Sequence, residues 1–556
     1  MIRYLILSFF LFLVFTKAFS QSLFRDFSVL SEYARRMSLE SDDSIPSSIR
    51  PEIFLETDSL ISINELTNLE IEGLDTRALP LYAISRINTR RPYGWGDMLM
   101  IPNVGFQQYI STGVFAKWKF LNFQFQPEIV WAQNARYEGL ENDLSRINYI
   151  DRYYVWSRGD YPERYANKTY AKIWWGQSKL TASFGAFEAG ISTQNIWWGP
   201  GQFNSLSFSN NAPGFPHLTI NTTKPAKTFL GNIETQLLIG QLFSSRQSPA
   251  QRDSLNQIYE SRPLPDGNRY LNALMFTYQP KWVPNLRLGF ARTFQVYDSL
   301  PRTSFSDWLP VFEAFQKERF FEDGNTVDFD GNGRDQQVII FGDFRFPKSQ
   351  LELYFEYGKR DHALNWREFI LNPDHSRAFL FGFLKLFEVP TLDYKIQLRA
   401  EITHQQESIN RIVRYSGLGG RNSWHEHAQA RGFTNFGQGL GVGTGQGANV
   451  QTIEAALVDG FGKMGVLLER VERDQGFFYR AFPTPDERKP WVDLSLGFLY
   501  DKQFKNLLLS SKLQIIHARN YQWQLDPAST PDFPKGKNLT SVMGQVSAVY
   551  FWNKNK

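Results

Sequence analysis

Apolar and polar residues alternate at a spacing of two through most of this chain. After residue 20, no stretch stays apolar for the ~18 residues that a membrane-crossing helix needs. Phe123, Phe125, Ile129 and Trp131 interleave with Asn122, Gln124, Gln126 and Glu128. The same beat runs through Leu180, Ala182 and Phe184, through Leu351, Leu353, Phe355 and Tyr357, and through Val542, Gly544, Val546, Ala548 and Tyr550. Successive side chains of a strand point to opposite faces, so each run has one apolar and one polar side. A soluble β-sandwich alternates too, but with shorter strands and fewer aromatic residues. Here 16% of residues are Phe, Tyr or Trp. A transmembrane barrel uses both traits, with one strand face in lipid, one on a polar lumen, and aromatic girdles at the interfaces. The spacing therefore predicts an all-β chain that closes as a transmembrane antiparallel β-barrel.

The connections alternate in length as well. Short ones fall near 119–121, 176–178, 280–285, 347–350, 389–392, 460–463 and 501–505. Long polar ones fall near 133–167, 244–267, 298–335, 359–376, 406–449, 473–489 and 519–540. Short periplasmic turns and long external loops account for this. About sixteen strands are directly legible, and even parity asks for two more. One inward strand must lie within 191–227, where Ser205–Ser209 or Leu218–Asn221 would serve. One outward strand must precede the first visible one, within about 79–104. The expected total is about 18.

Residues 1–20 have the form of a secretory signal. Arg3 precedes a short apolar run, and Ala18-Phe19-Ser20 is a small-x-small cleavage site. There is no cysteine, so neither disulfides nor a lipidated N-terminal Cys is available. The net charge is +4 and is dispersed, which excludes a nucleic-acid footprint. Phe24, Phe27, Leu30, Tyr33, Ala34 and Met37 recur at three and four, predicting a helix over 22–42. The expected division is a signal at 1–20, a small N-terminal helical periplasmic plug at 21–100, and the barrel at 101–556.

Two segments carry candidate binding chemistry. In the first, Trp197-Trp198-Gly199-Pro200-Gly201 is followed by Ser209-Asn210-Asn211-Ala212-Pro213. On a strand, adjacent tryptophans face opposite ways, so one would meet lipid and the other the lumen or mouth. An indole offers an apolar face and an N–H, which suits a sugar ring as well as an interfacial girdle. Asn210 and Asn211 serve equally as turn residues and as partners for sugar hydroxyls. In the second, the connection 133–167 interleaves Tyr154 and Trp156 with Arg152 and Arg158. Aromatics would stack on a polymer, and guanidiniums would hold its uronate or phosphate groups.

Other motifs are incomplete. Asp328-Phe329-Asp330-Gly331-Asn332-Gly333 opens like a calcium loop, but its twelfth position is Ile339 rather than Glu. His425-Glu426-His427 offers two imidazoles and no third ligand. There is no Gly-x-Ser-x-Gly, phosphate loop or His-Glu-x-x-His, so no enzyme, metal or cofactor is expected.

The tryptophan-glycine segment resembles the signature of the Wzi family of outer-membrane capsule-assembly proteins. Gly432-Phe433-Thr434-Asn435-Phe436-Gly437-Gln438-Gly439-Leu440-Gly441 and Tyr93-Gly94-Trp95-Gly96-Asp97 are similar to further segments of that family. The late segment departs from the family pattern at Val442, where His is expected. The resemblance implies an eighteen-stranded barrel closed on its periplasmic side by N-terminal helices. It also implies a lectin-like role in assembling capsular or exopolysaccharide and attaching it at the cell surface. The expected partners are that polysaccharide together with outer-membrane lipid and lipopolysaccharide, for a monomeric barrel. The alternative is an outer-membrane channel for saccharides or other polar solutes.

Overall fold

The computed structural model describes residues 28–40, 49–50, 74–94, 97–140, 144–260, 267–313, 333–360, 370, 373–389, 393–406, 423–427, 430–482 and 488–552. The signal at 1–20 lies outside them. The wall is a closed antiparallel barrel of 18 strands. In chain order these are β1 (Leu74–Asn88), β2 (Gly105–Trp118), β3 (Leu121–Phe125, then Glu128–Ala132), β4 (Tyr170–Trp174, then Lys179–Phe184), β5 (Phe187–Ser192) and β6 (His217–Thr222, continued by Ala226–Lys227). There follow β7 (Gly231–Leu242), β8 (Arg269–Pro280), β9 (Leu286–Tyr297), β10 (Asp335–Phe346), β11 (Leu351–Arg360) and β12 (Arg377–Glu388). The last six are β13 (Lys395–His404), β14 (Asn449–Asp459), β15 (Gly462–Glu472), β16 (Val492–Phe504), β17 (Leu507–Arg519) and β18 (Leu539–Tyr550). Each strand pairs with its chain neighbour, and β1 closes the ring on β18 from Leu81↔Tyr550 to Asn88↔Met543.

The wall is inverted relative to a protein folded in water. Asn122, Gln124, Gln126 and Glu128 are at most 2% exposed, whereas Phe123, Phe125, Ile129 and Trp131 are 39–47% exposed. Only lipid outside and a filled polar interior make that arrangement stable. A charge on the outer face would cost roughly 2–4 kcal/mol at mid-membrane. No described helix is long and apolar enough to cross a membrane.

Two sequence expectations are corrected in the wall, and a third is decided between its alternatives. The barrel begins at Leu74, not at 101, because β1 lies within the segment expected to be a helical plug. Its alternation is hard to see because the register against β2 shifts between Leu79 and Tyr82, around Pro80, which has no N–H to donate. The missing inward strand is β6, at Leu218–Asn221, while Ser205–Ser209 is not part of the wall. Finally, 176–178 is not a turn. It interrupts the single strand β4, opposite the break in β3 at Gln126-Pro127, with Gln126 bridged to Gly176. The turn itself is Gly185-Ala186.

Helix α1 (Ser28–Glu40) lies inside the short-turn end. Val29, Leu30, Tyr33 and Leu39 are buried, and Tyr33 packs on Phe461 with ring centroids 4.0 Å apart. Its charged face docks on the lumenal wall. Arg35 donates to both carboxylate oxygens of Glu352, at 2.7 and 3.0 Å. Glu32 meets Arg36 at 2.8 Å, Arg399 at 3.0 Å and Lys463 at 2.8 Å.

Among the described residues, the long connections at the other end carry α2 (Arg146–Gly159), α3 (Asp253–Tyr259), α4 (Phe305–Trp308) and α5 (Gln475–Ala481). The 133–167 connection, read from sequence as a long polar loop, thus contains a 14-residue helix.

Candidate functional site

After β5 the chain leaves the wall and crosses the lumen before returning as β6. Trp197–Trp198 pairs antiparallel with Ile49–Arg50. The amides of Gln202, Phe203 and Asn204 donate to Glu401 on β13 at 2.7, 3.1 and 2.8 Å. Those of Gly201 and Leu206 donate to Glu356 on β11 at 3.1 and 2.8 Å. Strands β11 and β13 lie six to eight positions around the ring from where the segment leaves the wall, so it spans the barrel. Gly199 has φ +93°, and a Cβ there would fall 2.4 Å from a Glu356 oxygen. The Gly-Pro-Gly motif therefore seats on Glu356, and the residues after it seat on Glu401.

This location corrects the reading of the tryptophan pair. Neither residue lies in the wall. Trp198 is 1% exposed, donates its indole N–H to Gln236 at 2.7 Å, and meets Phe208 edge-on at 4.8 Å. It is sealed in the core with its N–H already committed to protein. Trp197 is half-buried beside it.

The late glycine-rich segment folds inward onto the first motif. The Ser209 amide donates to the Leu440 carbonyl at 2.7 Å, and the Asn211 side chain donates to the Gly439 carbonyl at 2.7 Å. The Asn435 side chain donates to the Pro213 carbonyl at 2.9 Å. Val442, at the position where the resemblance expects His, is 7% exposed in the same apolar cluster. The two motifs singled out by sequence thus brace each other across the lumen. Asn210 offers its carbonyl to Met98, while Asn211 reaches the lining of a cavity above.

That cavity, of about 230 Å³, lies at the long-connection end. One wall is α2. Ser145 caps its start by accepting from the Asn148 amide at 3.3 Å, and Asp160, at φ 58°, ends it. The helix has no one-sided apolar period because it is buried on several faces, through Tyr149, Tyr153, Val155 and Trp156. Tyr149 stacks on Tyr259 of α3 at 5.2 Å, and Tyr153 donates to Asn256 at 2.9 Å.

Arg152 and Trp156 face the cavity. Arg152 pairs with Asp474, and its guanidinium lies 4.5 Å from the Trp156 ring, 5.0 Å from Phe477 and 5.1 Å from Trp523. Tyr154 and Arg158 do not line the cavity; they stack on each other at 3.7 Å. Helix α2 therefore separates the four residues expected to act together.

Sequence reasoning missed the rest of the lining. Arg91 and Arg473 both bind Asp493, at 2.6 and 2.9 Å. Arg91 also lies 5.3–5.6 Å from the rings of Tyr93, Trp491 and Tyr521. These residues come from three connections and the start of β16, spread over 430 positions, and only adjacency in a closed ring joins them. Burial pushes the phenols of Tyr93 and Tyr137 well above their ordinary range and that of Tyr161 up to about 12, so they remain neutral donors.

The candidate calcium loop falls mostly on 314–332, outside the described residues. His425, Glu426 and His427 are buried at 0–3% exposure, and Glu426 pairs with Arg480 at 2.9 Å. Burial pushes the His425 imidazole down. Among the described residues no group of three or more His, Cys, Asp or Glu is placed to hold a metal.

Comparison with known proteins gives a consistent picture. The model of a family described as capsule assembly protein Wzi matches residues 105–475. Among solved structures, the chain is similar to Wzi of Escherichia coli, at 12% identity and a TM-score of 0.51, over 84% of this chain and 83% of that one. That protein is described as an outer membrane protein involved in group 1 capsule assembly and a carbohydrate-binding β-barrel. More distant likenesses are OccAB3 of Acinetobacter baumannii (10% identity, 86% and 100% coverage, TM-score 0.39) and the outer membrane protein opdK of Pseudomonas aeruginosa (8%, 86% and 99%, 0.37). No curated protein matches the sequence.

Proposed function

We propose that this chain, which belongs to the Wzi family of capsule assembly proteins, binds capsular or extracellular polysaccharide at its long-connection end and helps attach it to the cell surface. It is an outer-membrane β-barrel. The observation that carries the proposal is the cavity at that end, where Arg152, Trp156 and Asn211 meet above an interior crossed by protein. Aromatic rings and hydrogen-bonding groups together suit sugar rings. The role we infer is retention, not catalysis. Each site would bind weakly, and many barrels acting on one repetitive polymer would give firm attachment. In this reading α1 docks in the periplasmic mouth beneath the interior segment that blocks the lumen, the outer face contacts lipid and lipopolysaccharide, and the barrel works as a monomer.

The channel reading is less well supported, because the segment 193–216 and the glycine-rich segment after 430 interlock within the lumen.

The test is direct binding of detergent-purified mature protein to surface polysaccharide from its own cells, with an unrelated capsule as control. Selective binding that falls in Trp156→Ala is expected. If folded barrel, verified by heat-modifiable gel mobility, binds neither polymer, the proposal fails and conductance becomes the next measurement.

A further inference from the structure

We infer that the cavity between α2, α5 and the last long connection is a subsite for one uncharged pyranose unit of the polymer. It would grip ring and hydroxyls, not an anionic substituent. This rests on the polysaccharide-binding reading above and specifies its ligand chemistry. It also departs from the expectation that the arginines of this region hold uronate or phosphate.

The charges around the cavity are already matched. Arg152 is paired with Asp474, and Arg91 and Arg473 share Asp493. A third carboxylate, Glu163, lines the space and accepts the amides of Leu140 at 2.8 Å and Gln251 at 2.9 Å. Three guanidiniums thus stand among three carboxylates. An incoming carboxylate or phosphate would gain no unpaired cation and would sit beside the lining carboxylates Glu163 and Asp474, which repel a like charge.

A neutral sugar meets no such penalty. A guanidinium beside a carboxylate offers donors next to acceptors, and vicinal hydroxyls, which both donate and accept, match that pattern. Several polar atoms of the lining remain without a hydrogen-bond partner among the described residues, Arg91 Nε and Thr444 Oγ1 included. Neither the Trp523 indole N–H nor the Arg152 Nε has a hydrogen-bond partner among the described residues, although both atoms are buried. The cavity, of about 230 Å³, is smaller than the ~300 Å³ typical of sites for drug-sized molecules, which suits a single ring of the polymer. Gly445, at φ +105°, gives the lining a backbone turn beside Arg473 that an L side chain would strain.

The test uses polysaccharide from the protein's own cells, either intact or with its carboxylates chemically reduced to hydroxymethyl groups. Binding to full-length mature protein in detergent is followed by tryptophan fluorescence. We expect both polymers to bind within roughly twofold of each other, with little change between about 50 and 500 mM NaCl. Oligogalacturonate should not compete. Trp523→Phe, which keeps a ring and removes the N–H, should weaken both polymers by roughly tenfold, with heat-modifiable mobility unchanged. Tenfold loss on carboxyl reduction, a steep salt dependence or displacement by oligogalacturonate would overturn the inference. Binding that survives unchanged in both Trp523→Phe and Trp156→Ala would also overturn it, while leaving the lectin reading intact. No binding of either polymer to folded wild-type protein would instead defeat the lectin reading itself.

Discussion

Glu32 accepts a hydrogen bond from Lys463 at 2.8 Å, although 431 residues separate them. The pair joins α1 to the first residues of β15, beside a short turn. Arg399 bridges the same glutamate to Glu454, at 3.0 and 2.6 Å. All of these groups are buried. Removing one member of such a cluster leaves a charge with less compensation in a poorly solvated place.

Glu32→Gln should therefore loosen α1 at a cost on the order of 3 kcal/mol without opening the wall. The measurement is hydrogen exchange of residues 28–40 in detergent. Faster exchange in α1, with the strands unchanged, is expected; equal protection in both proteins contradicts it.

The same carboxylate sets a pH dependence. Burial alone would raise its pKa, but Arg399, Lys463 and Arg36 outweigh burial and hold it well below the usual carboxylate range. The unfolded value is about 4.3. A depressed folded pKa means that the stabilisation is fully present above the unfolded value and fades as pH falls through the folded one. The docking of α1 should be flat from about pH 8 to 5 and weaken only in stronger acid. Because the chain has no cysteine, a spin label on Met37→Cys reports this cleanly. Release between pH 5 and 7 would count against the assignment.

The interior segment, and not α1, should govern ion passage. Deleting 21–48 should leave planar-bilayer conductance low, since 201–206 still hangs on Glu356 and Glu401. The double variant Glu356→Ala/Glu401→Ala orphans five backbone amides, each worth roughly 1–3 kcal/mol if left buried and unpaired. It should conduct several times more than wild type. The opposite ranking would transfer the plug role to α1.

Trp198 should act on stability and not on ligand. Trp198→Phe keeps most of the packing but leaves the Gln236 side-chain Oε1 without this donor, costing roughly 1–3 kcal/mol. Thermal unfolding should shift down while polysaccharide affinity per folded protein stays within twofold. A selective loss of affinity would restore Trp198 as a contact residue.

Helix α2 should divide in function. Trp156→Ala and Arg152→Ala should weaken polymer binding, whereas Tyr154→Ala and Arg158→Ala, outside the cavity, should change it little. Equal losses in all four would show that the polymer wraps the whole helix.

Much of the barrel was legible in the sequence, because lipid on one side and a polar interior on the other impose a period of two on each strand. The alternation through Phe123, Gln124 and Phe125 needs no long-range information. Turn lengths then set the parity that led to eighteen strands. Where the period is broken locally, at Pro80 in β1 and at Pro127 opposite Gly176, the strand limits were lost. Helix α2 was hidden for the converse reason: a helix packed on several faces has no polar stripe to reveal it. The site itself is a property of ring closure. Arg91, Arg152, Asp474 and Trp523 lie on connections far apart in the chain and become neighbours only when β1 pairs with β18. No local pattern in the sequence shows that Trp198 is sealed inside, or that the arginines meet carboxylates that already balance their charge; the tertiary structure decided both.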